Sequence, residues 1–137
     1  MENSNYKITI EVFQKNNIFD NESIGNGVYI AELLVCGKTI PLYIGESVFM
    51  LRRCGEHLYE LLKEPEYWGL TKGDLNDPDL KLIFRVLQPL DDKLDNHDRE
   101  IYYIETKQPK TQNATNDRLR RNRKDIVQAE IAKAKGI

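Results

Sequence analysis

The sequence predicts a small α+β domain, an antiparallel sheet with helices packed on its faces. Three observations carry that expectation. Two runs rich in β-branched, aromatic and aliphatic residues, 27–35 and 39–44, flank the short segment Cys36-Gly37-Lys38, which reads as a hairpin turn. Stretches with helical spacing of apolar residues follow, interrupted by a further β-rich run. The chain has 137 residues, which suits one domain with a hydrophobic core of its own.

Taken in order, residues 6–13 alternate apolar and polar, with Ile8, Ile10 and Val12 on one face, and predict a first strand. Residues 16–26 read as a polar linker, and the hairpin follows. Ser47 is a good N-cap for a helix carrying Leu51, Cys54, Leu58, Leu61 and Leu62, which Pro65 ends. Gly55 inside that helix costs roughly 1 kcal/mol against Ala, so close packing or a kink is expected there. Residues 68–78 read as a loop, 80–87 as another strand stopped by Pro89, and 91–107 as a second helix with Leu94, Ile101 and Ile104 apolar. Thr115 or Asn116 is placed to cap a last helix with a thin stripe of Leu119, Ile126, Ala129 and Ala132. No internal repeat or low-complexity segment is present.

An apolar fraction of 40% and a charged fraction of 31% fit a soluble globular chain. No apolar run approaches the ~20 residues of a membrane span, and MENSNYK lacks the regions of a signal peptide. Cys36 and Cys54 form no metal or redox pattern, and reduced, inert thiols suit a cytoplasmic protein. The net charge of −2 argues weakly against nucleic acid, but phosphate contacts come from local patches. Two exist: Arg52-Arg53 followed by His57, and the run from Arg118 through Arg120, Arg121 and Arg123 to Lys124. A solvated helix face accounts for the second equally well.

Singly, the polar residues are ordinary. A tyrosine in a strand, such as Tyr29 or Tyr43, is usually packing, and Glu100 alone reads as a surface residue. Across a three-residue turn the two phenols would share a face; across a two-residue turn they would not. Arg53 and His57, four apart on a helix, do share one.

The joint pattern is more informative. Gly27-Val28-Tyr29, then Tyr43-Ile44-Gly45, then Arg53, His57, Glu100 and Asn113 resembles the GIY-YIG nuclease family in order and in spacing. As in that family, an Arg lies eight residues after the second motif's glycine (Gly45 to Arg53), and a His follows four later. Glu100-Ile101-Tyr102-Tyr103-Ile104 matches the family's Glu-x-x-x-Ile segment, continued by Pro109 and Asn113. Val28 stands where the family has Ile, and Pro109 and Asn113 are one residue further apart than in several relatives. Glu46 follows the second motif, where a carboxylate repels DNA phosphate unless it is paired or turned away.

The resemblance implies a division into an N-terminal extension with one strand (1–26), a GIY-YIG nuclease core (27–113) and a basic C-terminal helix packed on the same domain (114–137). It implies a metal-dependent DNA endonuclease. Glu100 would hold a single Mg²⁺ or Mn²⁺, and Arg53 would contact the scissile phosphate. A tyrosine would activate water, with Tyr29 favoured over Tyr43, and Arg53, the metal and His57 would supply the charge that a phenol needs. Asn113 would orient substrate. DNA contacts are expected from Arg52, Arg118, Arg120, Arg121, Arg123 and Lys124, with specificity from 68–78, the last helix or a second subunit. A homodimer is left open, since a symmetric double-strand cutter needs two sites. The competing expectation is a catalytically silent DNA-binding module with the same fold.

Overall fold

The computed structural model describes residues 5–113 and 118–137. In chain order its elements are β1 (Thr9–Val12), β2 (Gln14–Lys15), β3 (Ile18–Phe19), β4 (Gly27–Val35), β5 (Lys38–Ser47), α1 (Met50–Lys63), α2 (Lys72–Leu75), β6 (Leu80–Pro89), α3 (Asn96–Lys107) and α4 (Arg123–Ala134). Short 3₁₀ turns intervene at Asn21–Ile24, Pro65–Trp68 and Lys93–Asp95. The main sheet has the order β1-β6-β4-β5. β4 pairs antiparallel with both β5 and β6, whereas β1 lies parallel to β6. The sheet is therefore mixed rather than antiparallel throughout. A parallel pair is joined by a long crossover, here everything from β2 to α2, so no local turn signals its direction.

β4 is covered on both faces, which is why its sequence runs nearly unbroken in apolar residues. Tyr29, Ala31, Leu33 and Val35 join Ile40, Leu42, Leu82 and Phe84 in one core, closed by Met50, Cys54 and Leu61 of α1 and by Val127 and Ile131 of α4. Val28 and Ile30 join Ile44 in a second, smaller core, closed by Ile104 of α3. Burying such side chains is worth about 1.5–3 kcal/mol each, so these two clusters dominate the fold's stability.

The hairpin turn has two residues, Cys36 and Gly37, with φ of 49° and 77°. Those positive values define a primed turn that matches the twist of the flanking strands. Pairing starts at Val35–Lys38 and shifts between Ala31 and Glu32, where Ala31 meets Tyr43 while Glu32 meets Pro41. β5 thus carries one extra residue, and the bulge changes the parity of every pair beyond it.

β5 is the sheet edge, and the chain after α3 closes it. Lys110 and Thr111 donate backbone N–H groups to Pro41 and Leu42 carbonyls. The buried Gln112 side chain then takes the place of a neighbouring strand: its Oε1 accepts from Ile44 N–H at 2.8 Å and its Nε2 donates to Ile44 C=O at 2.7 Å. An open edge invites pairing with another chain, and this one is covered.

Several elements differ from the sequence reading. The expected linker 16–26 contains the β2–β3 hairpin, whose Asn16-Asn17 turn also has positive φ, and a 3₁₀ turn. Asn tolerates that left-handed backbone better than most residues, so a polar pair that reads as a loop makes a tight turn instead. The expected loop 68–78 is largely ordered. Trp68, Gly69 and Leu70 are buried, and α2 starts at a capping box in which Thr71 and Asp74 exchange hydrogen bonds. The second helix begins at Asn96 rather than 91, leaving Leu94 80% exposed. Phe49, not Ser47, is the N-cap of α1; Ser47 Oγ instead accepts from Phe49 N–H at 3.0 Å. The last helix starts at Arg123 and buries Val127, Ile131 and Ala134, not the stripe expected from Leu119 and Ala129. Leu119 forms an isolated bridge with Gln112, and the expected caps Thr115 and Asn116 lie outside the described residues.

Candidate active site

The bulge in β5 assembles the site. A two-residue turn alone would send Tyr29 and Tyr43 to opposite faces; with the extra residue, Tyr43 pairs with Ala31 and Tyr29 with Gly45, so both phenols point to the α1 face. Gly45 makes this possible. A Cβ there would lie 2.5 Å from Tyr29 Oη and 2.9 Å from Tyr43 Cε2, so only hydrogen lets the two rings approach across it. Gly27 is equally constrained, since a Cβ would lie 2.3 Å from the Gln88 carbonyl on β6.

α1 brings His57 over the two rings. Tyr29 Oη and His57 Nε2 are 2.8 Å apart, and which atom donates depends on the imidazole tautomer. Tyr43 packs edge-on to His57 at 5.0 Å and stacks on Trp68 at 5.3 Å. Tyr29 and Trp68 are fully buried, His57 is 2% exposed and Tyr43 is only partly covered. His57 Nδ1 and Trp68 Nε1 have no hydrogen-bond partner among the described residues.

Electrostatics follow from this burial. The Tyr29 phenol is pushed well above the ordinary tyrosine range, first by desolvation and then by Tyr43; Glu100 adds to the rise and Arg53 opposes it. His57 is pulled down to about 4, mainly by burial and then by the Arg53 charge. The sequence reading expects His57 to contribute positive charge, yet at neutral pH the ring carries none. Burial also pushes the Cys54 thiol up to about 12, which leaves it an inert core residue.

Arg53 sits one turn before His57, half-exposed, with Glu56 as an exposed partner at 3.3 Å. Its charge is coupled to Tyr29 and to Tyr43. Glu100 lies on α3, which packs through Ile104 against the other face of the sheet, and its link to the phenols is the rise its charge adds at Tyr29. The Glu100 side chain is 13% exposed, with His97 Nδ1 at 3.8 Å. α3 is held by polar contacts to the strand ends. Asn96 Nδ2 donates to Asn26 Oδ1 at 2.6 Å and to Glu46 Oε2 at 2.8 Å. Arg99 and Tyr103 donate to Gln88 Oε1. Glu46 pairs with Val28, on the sheet face away from the phenols, and its carboxylate is held there by Asn96, one turn before Glu100 on α3.

Tyr29, Tyr43 and His57 therefore meet, with Arg53 one turn from His57 on α1 and Glu100 on α3, and Asn113 follows Gln112 directly at the β5 edge, its N–H bonded to Arg118 C=O at 2.7 Å. The basic run stands apart. Arg123 and Lys124 contact Tyr67 and Glu66, beyond the C-terminal end of α1. Arg53 is near the other end, roughly 15 Å away along the helix. Arg120 Nε donates to Gln112 C=O and Arg123 Nη1 to Arg120 C=O, so both brace the chain itself. Arg52 and Arg121 are exposed. Sequence reasoning missed Trp68, Gln112 and Asn96. The one signal was that Trp68 is the only tryptophan in the chain.

Among the described residues, no group of three or more His, Cys, Asp or Glu side chains that could hold a metal ion occurs, and no helix is long and apolar enough to cross a membrane. The chain matches no protein-family model, no curated protein and no solved structure.

Proposed function

We propose that this chain is a metal-dependent DNA endonuclease of the GIY-YIG kind. The observation that carries the reading is the meeting of Tyr29, Tyr43 and His57 beside Arg53, assembled by a strand bulge around a glycine that tolerates no side chain. A packing role alone does not call for a guanidinium beside two phenols.

Glu100 is the residue that would hold a divalent cation. A hard carboxylate at a partly exposed position fits Mg²⁺ or Mn²⁺, which keep several waters and use one or two carboxylates plus substrate phosphate. The ion, when bound, would neutralise charge developing on the phosphate and the leaving oxygen. Arg53 offers a planar fork to two phosphate oxygens, a geometry Lys does not supply.

Burial separates the roles of the two phenols. Tyr29 is sealed from solvent, keeps its proton and rests against His57, so we assign it to positioning. Tyr43 is the phenol within reach of water, and we assign it the role of base, reversing the order the sequence favours. Only about one tyrosine in a thousand is ionised at neutral pH without help, and the neighbouring Arg53 charge favours the phenolate. As phenolate, Tyr43 takes a proton from the water that attacks phosphorus in line with the departing oxygen.

The silent-module alternative draws support from Glu46 and the acidic overall balance; the Glu46 carboxylate accepts a hydrogen bond from Asn96, one turn before Glu100 on α3. The deciding experiment is incubation of supercoiled plasmid, single-stranded DNA and branched DNA with Mg²⁺ or Mn²⁺, beside EDTA and Glu100→Ala controls. Cleavage that needs metal and disappears in the variant supports the reading. Cleavage that survives Glu100→Ala, or none on any of these DNAs, sinks it.

A further inference from the structure

Trp68 touches both Tyr43 and His57 without carrying a group that could react there. Its indole is fully buried and lies on the Tyr43 ring, with centroids 5.3 Å apart and planes 21° apart. The same indole meets the His57 ring at 5.3 Å, and His57 packs edge-on to Tyr43 at 5.0 Å. The three rings close a triangle of mutual contacts. A buried indole N–H usually finds a partner, yet Trp68 Nε1 has none among the described residues. No hydrogen bond at its polar edge fixes the ring, so its place is set by ring contacts and by the backbone that carries it. That backbone is tied to α4. Gly69, directly after the tryptophan, has a φ of 75°, and a Cβ there would lie 2.8 Å from the Arg123 carbonyl and 2.8 Å from Val127 Cγ2. The Gly69 C=O accepts from Gln128 Nε2 at 2.9 Å, and the Tyr67 C=O accepts from Arg123 Nε at 2.6 Å. Carbonyls on both sides of Trp68 are thus held by α4 side chains, although the ring triangle itself contains no α4 residue.

We propose that Trp68 is a positioning residue for Tyr43 and that α4 acts on the site through it. The clamped carbonyls fix the indole, and the indole face fixes the direction of the phenol. Its role in catalysis rests on the nuclease reading above, in which Tyr43 is the base. A base works only from hydrogen-bond reach of the proton it takes, and a misplacement of about 1 Å costs on the order of a hundredfold in rate. A half-buried phenol on an edge strand has few neighbours of its own to hold it to that tolerance, and a stacked indole supplies one broad flat contact. The C-terminal helix, read from its charges as a DNA patch, then governs the reaction from behind the site.

The test has two readouts. NMR of protein carrying ¹³C-labelled tyrosine, with the Tyr43 signals identified by Tyr43→Phe, reports the stack without any cleavage, because the indole ring current shifts a ring lying on its face. Trp68→Leu and Gln128→Ala are expected to move the Tyr43 signals toward those of the exposed tyrosines, and Trp68→Phe, which still stacks, to move them less. Plasmid cleavage in Mg²⁺ then gives kcat and KM. Trp68→Leu is expected to lower kcat at least about tenfold with KM within about twofold, Gln128→Ala to lower kcat by less, and Trp68→Phe to restore most of it. Urea midpoints establish that each variant is folded under assay conditions. Should Trp68→Leu not fold, Gln128→Ala decides, since it leaves every ring in place. A folded Trp68→Leu or Gln128→Ala protein with wild-type kcat overturns the proposal, as do Tyr43 signals that stay put in both. So does a loss in Trp68→Phe as large as in Trp68→Leu, since filled volume rather than the stack is then what counts. Tyr43 signals that move as expected in a protein that cleaves no DNA overturn the nuclease reading, while Trp68 stands as the residue that orients Tyr43.

Discussion

Tyr29 and Gly45 face each other across the β4–β5 hairpin so closely that a methyl group on Gly45 would lie 2.5 Å from the Tyr29 hydroxyl. The contact is not relieved by moving the end of a flexible chain, because Tyr29 is fully buried and its Oη is held by His57. Gly45→Ala is therefore expected to lower stability by about 1–3 kcal/mol, the usual cost of overpacking, and to displace both phenols. Urea denaturation reads the first effect and plasmid cleavage the second. A variant with wild-type stability and activity would show that the hairpin relaxes there at no cost.

Assigning the base to Tyr43 separates the two phenols by experiment. Tyr43→Phe should lower the cleavage rate at least about a hundredfold while the protein stays folded. Tyr29→Phe should keep most of the activity while losing about 1–3 kcal/mol of stability, since His57 Nε2 is left without its partner. A rate that collapses in Tyr29→Phe and survives in Tyr43→Phe would return the role to Tyr29.

His57 couples stability to pH. Its pKa is about 4 in the folded chain against 6.5 for the free side chain, so between those values the unfolded chain binds the extra proton. Stability is then complete above about pH 6.5 and is lost as pH falls toward 4, by on the order of 3 kcal/mol. The charged groups around the ring are Arg53, which deepens the effect, and Glu56, which opposes it. Urea midpoints measured from pH 7 to pH 4 should fall in the wild type and stay flatter in His57→Gln. Parallel curves for the two proteins would assign the acid sensitivity to other groups.

The parts of this fold legible in the sequence were those with a local signal. Gly37 marks the hairpin turn, Pro65 the end of α1 and Pro89 the end of β6, and the apolar spacing of Leu51, Cys54, Leu58 and Leu61 marks the inner face of α1. What stayed hidden depends on contacts distant in sequence. The parallel docking of β1 on β6 leaves no turn signal, and the Ala31–Glu32 register shift leaves no composition signal, although it decides which face Tyr43 occupies. The candidate residues Tyr29, Tyr43, Arg53, His57 and Glu100 were legible only as a set, from order and spacing. Their burial was not, and burial is what separates the roles proposed for the two phenols and makes His57 neutral. The basic run reads as a DNA patch, yet Arg120, Arg123 and Lys124 contact groups of their own chain whose proximity only the fold reveals.

Gly55 lies in the interior of α1, where a Cβ would meet nothing within 4 Å. Close packing, one of the two reasons expected for a glycine there, is therefore absent. Gly55→Ala should raise stability by up to about 1 kcal/mol through the lost backbone freedom of the unfolded chain. A rise of a few degrees in thermal midpoint would agree, whereas a fall would mean that α1 needs the glycine to bend.

Gln112 carries the closure of the β5 edge. Its side chain satisfies both the N–H and the C=O of Ile44, one residue after Tyr43 and one before Gly45. Truncation in Gln112→Ala leaves two backbone groups without partners at the sheet edge, at a cost of about 1–3 kcal/mol if they stay buried. The lost tether also frees Asn113 and removes the frame that holds Tyr43 in register, so catalysis should fall further than stability alone accounts for. Gln112→Glu is the sharper comparison. A carboxylate still accepts from the Ile44 N–H but no longer donates to its C=O, and two oxygens then face each other. If the edge matters as argued, Gln112→Glu is at least as destabilising as Gln112→Ala at pH 8 and recovers as the carboxyl group protonates toward pH 4, where it again has a hydrogen to give. That recovery is read against Gln112→Ala at each pH, which cancels the His57 contribution common to both proteins. Identical stability of the two variants at pH 8 and at pH 4 would mean that the edge is open to water and that Gln112 does not seal it.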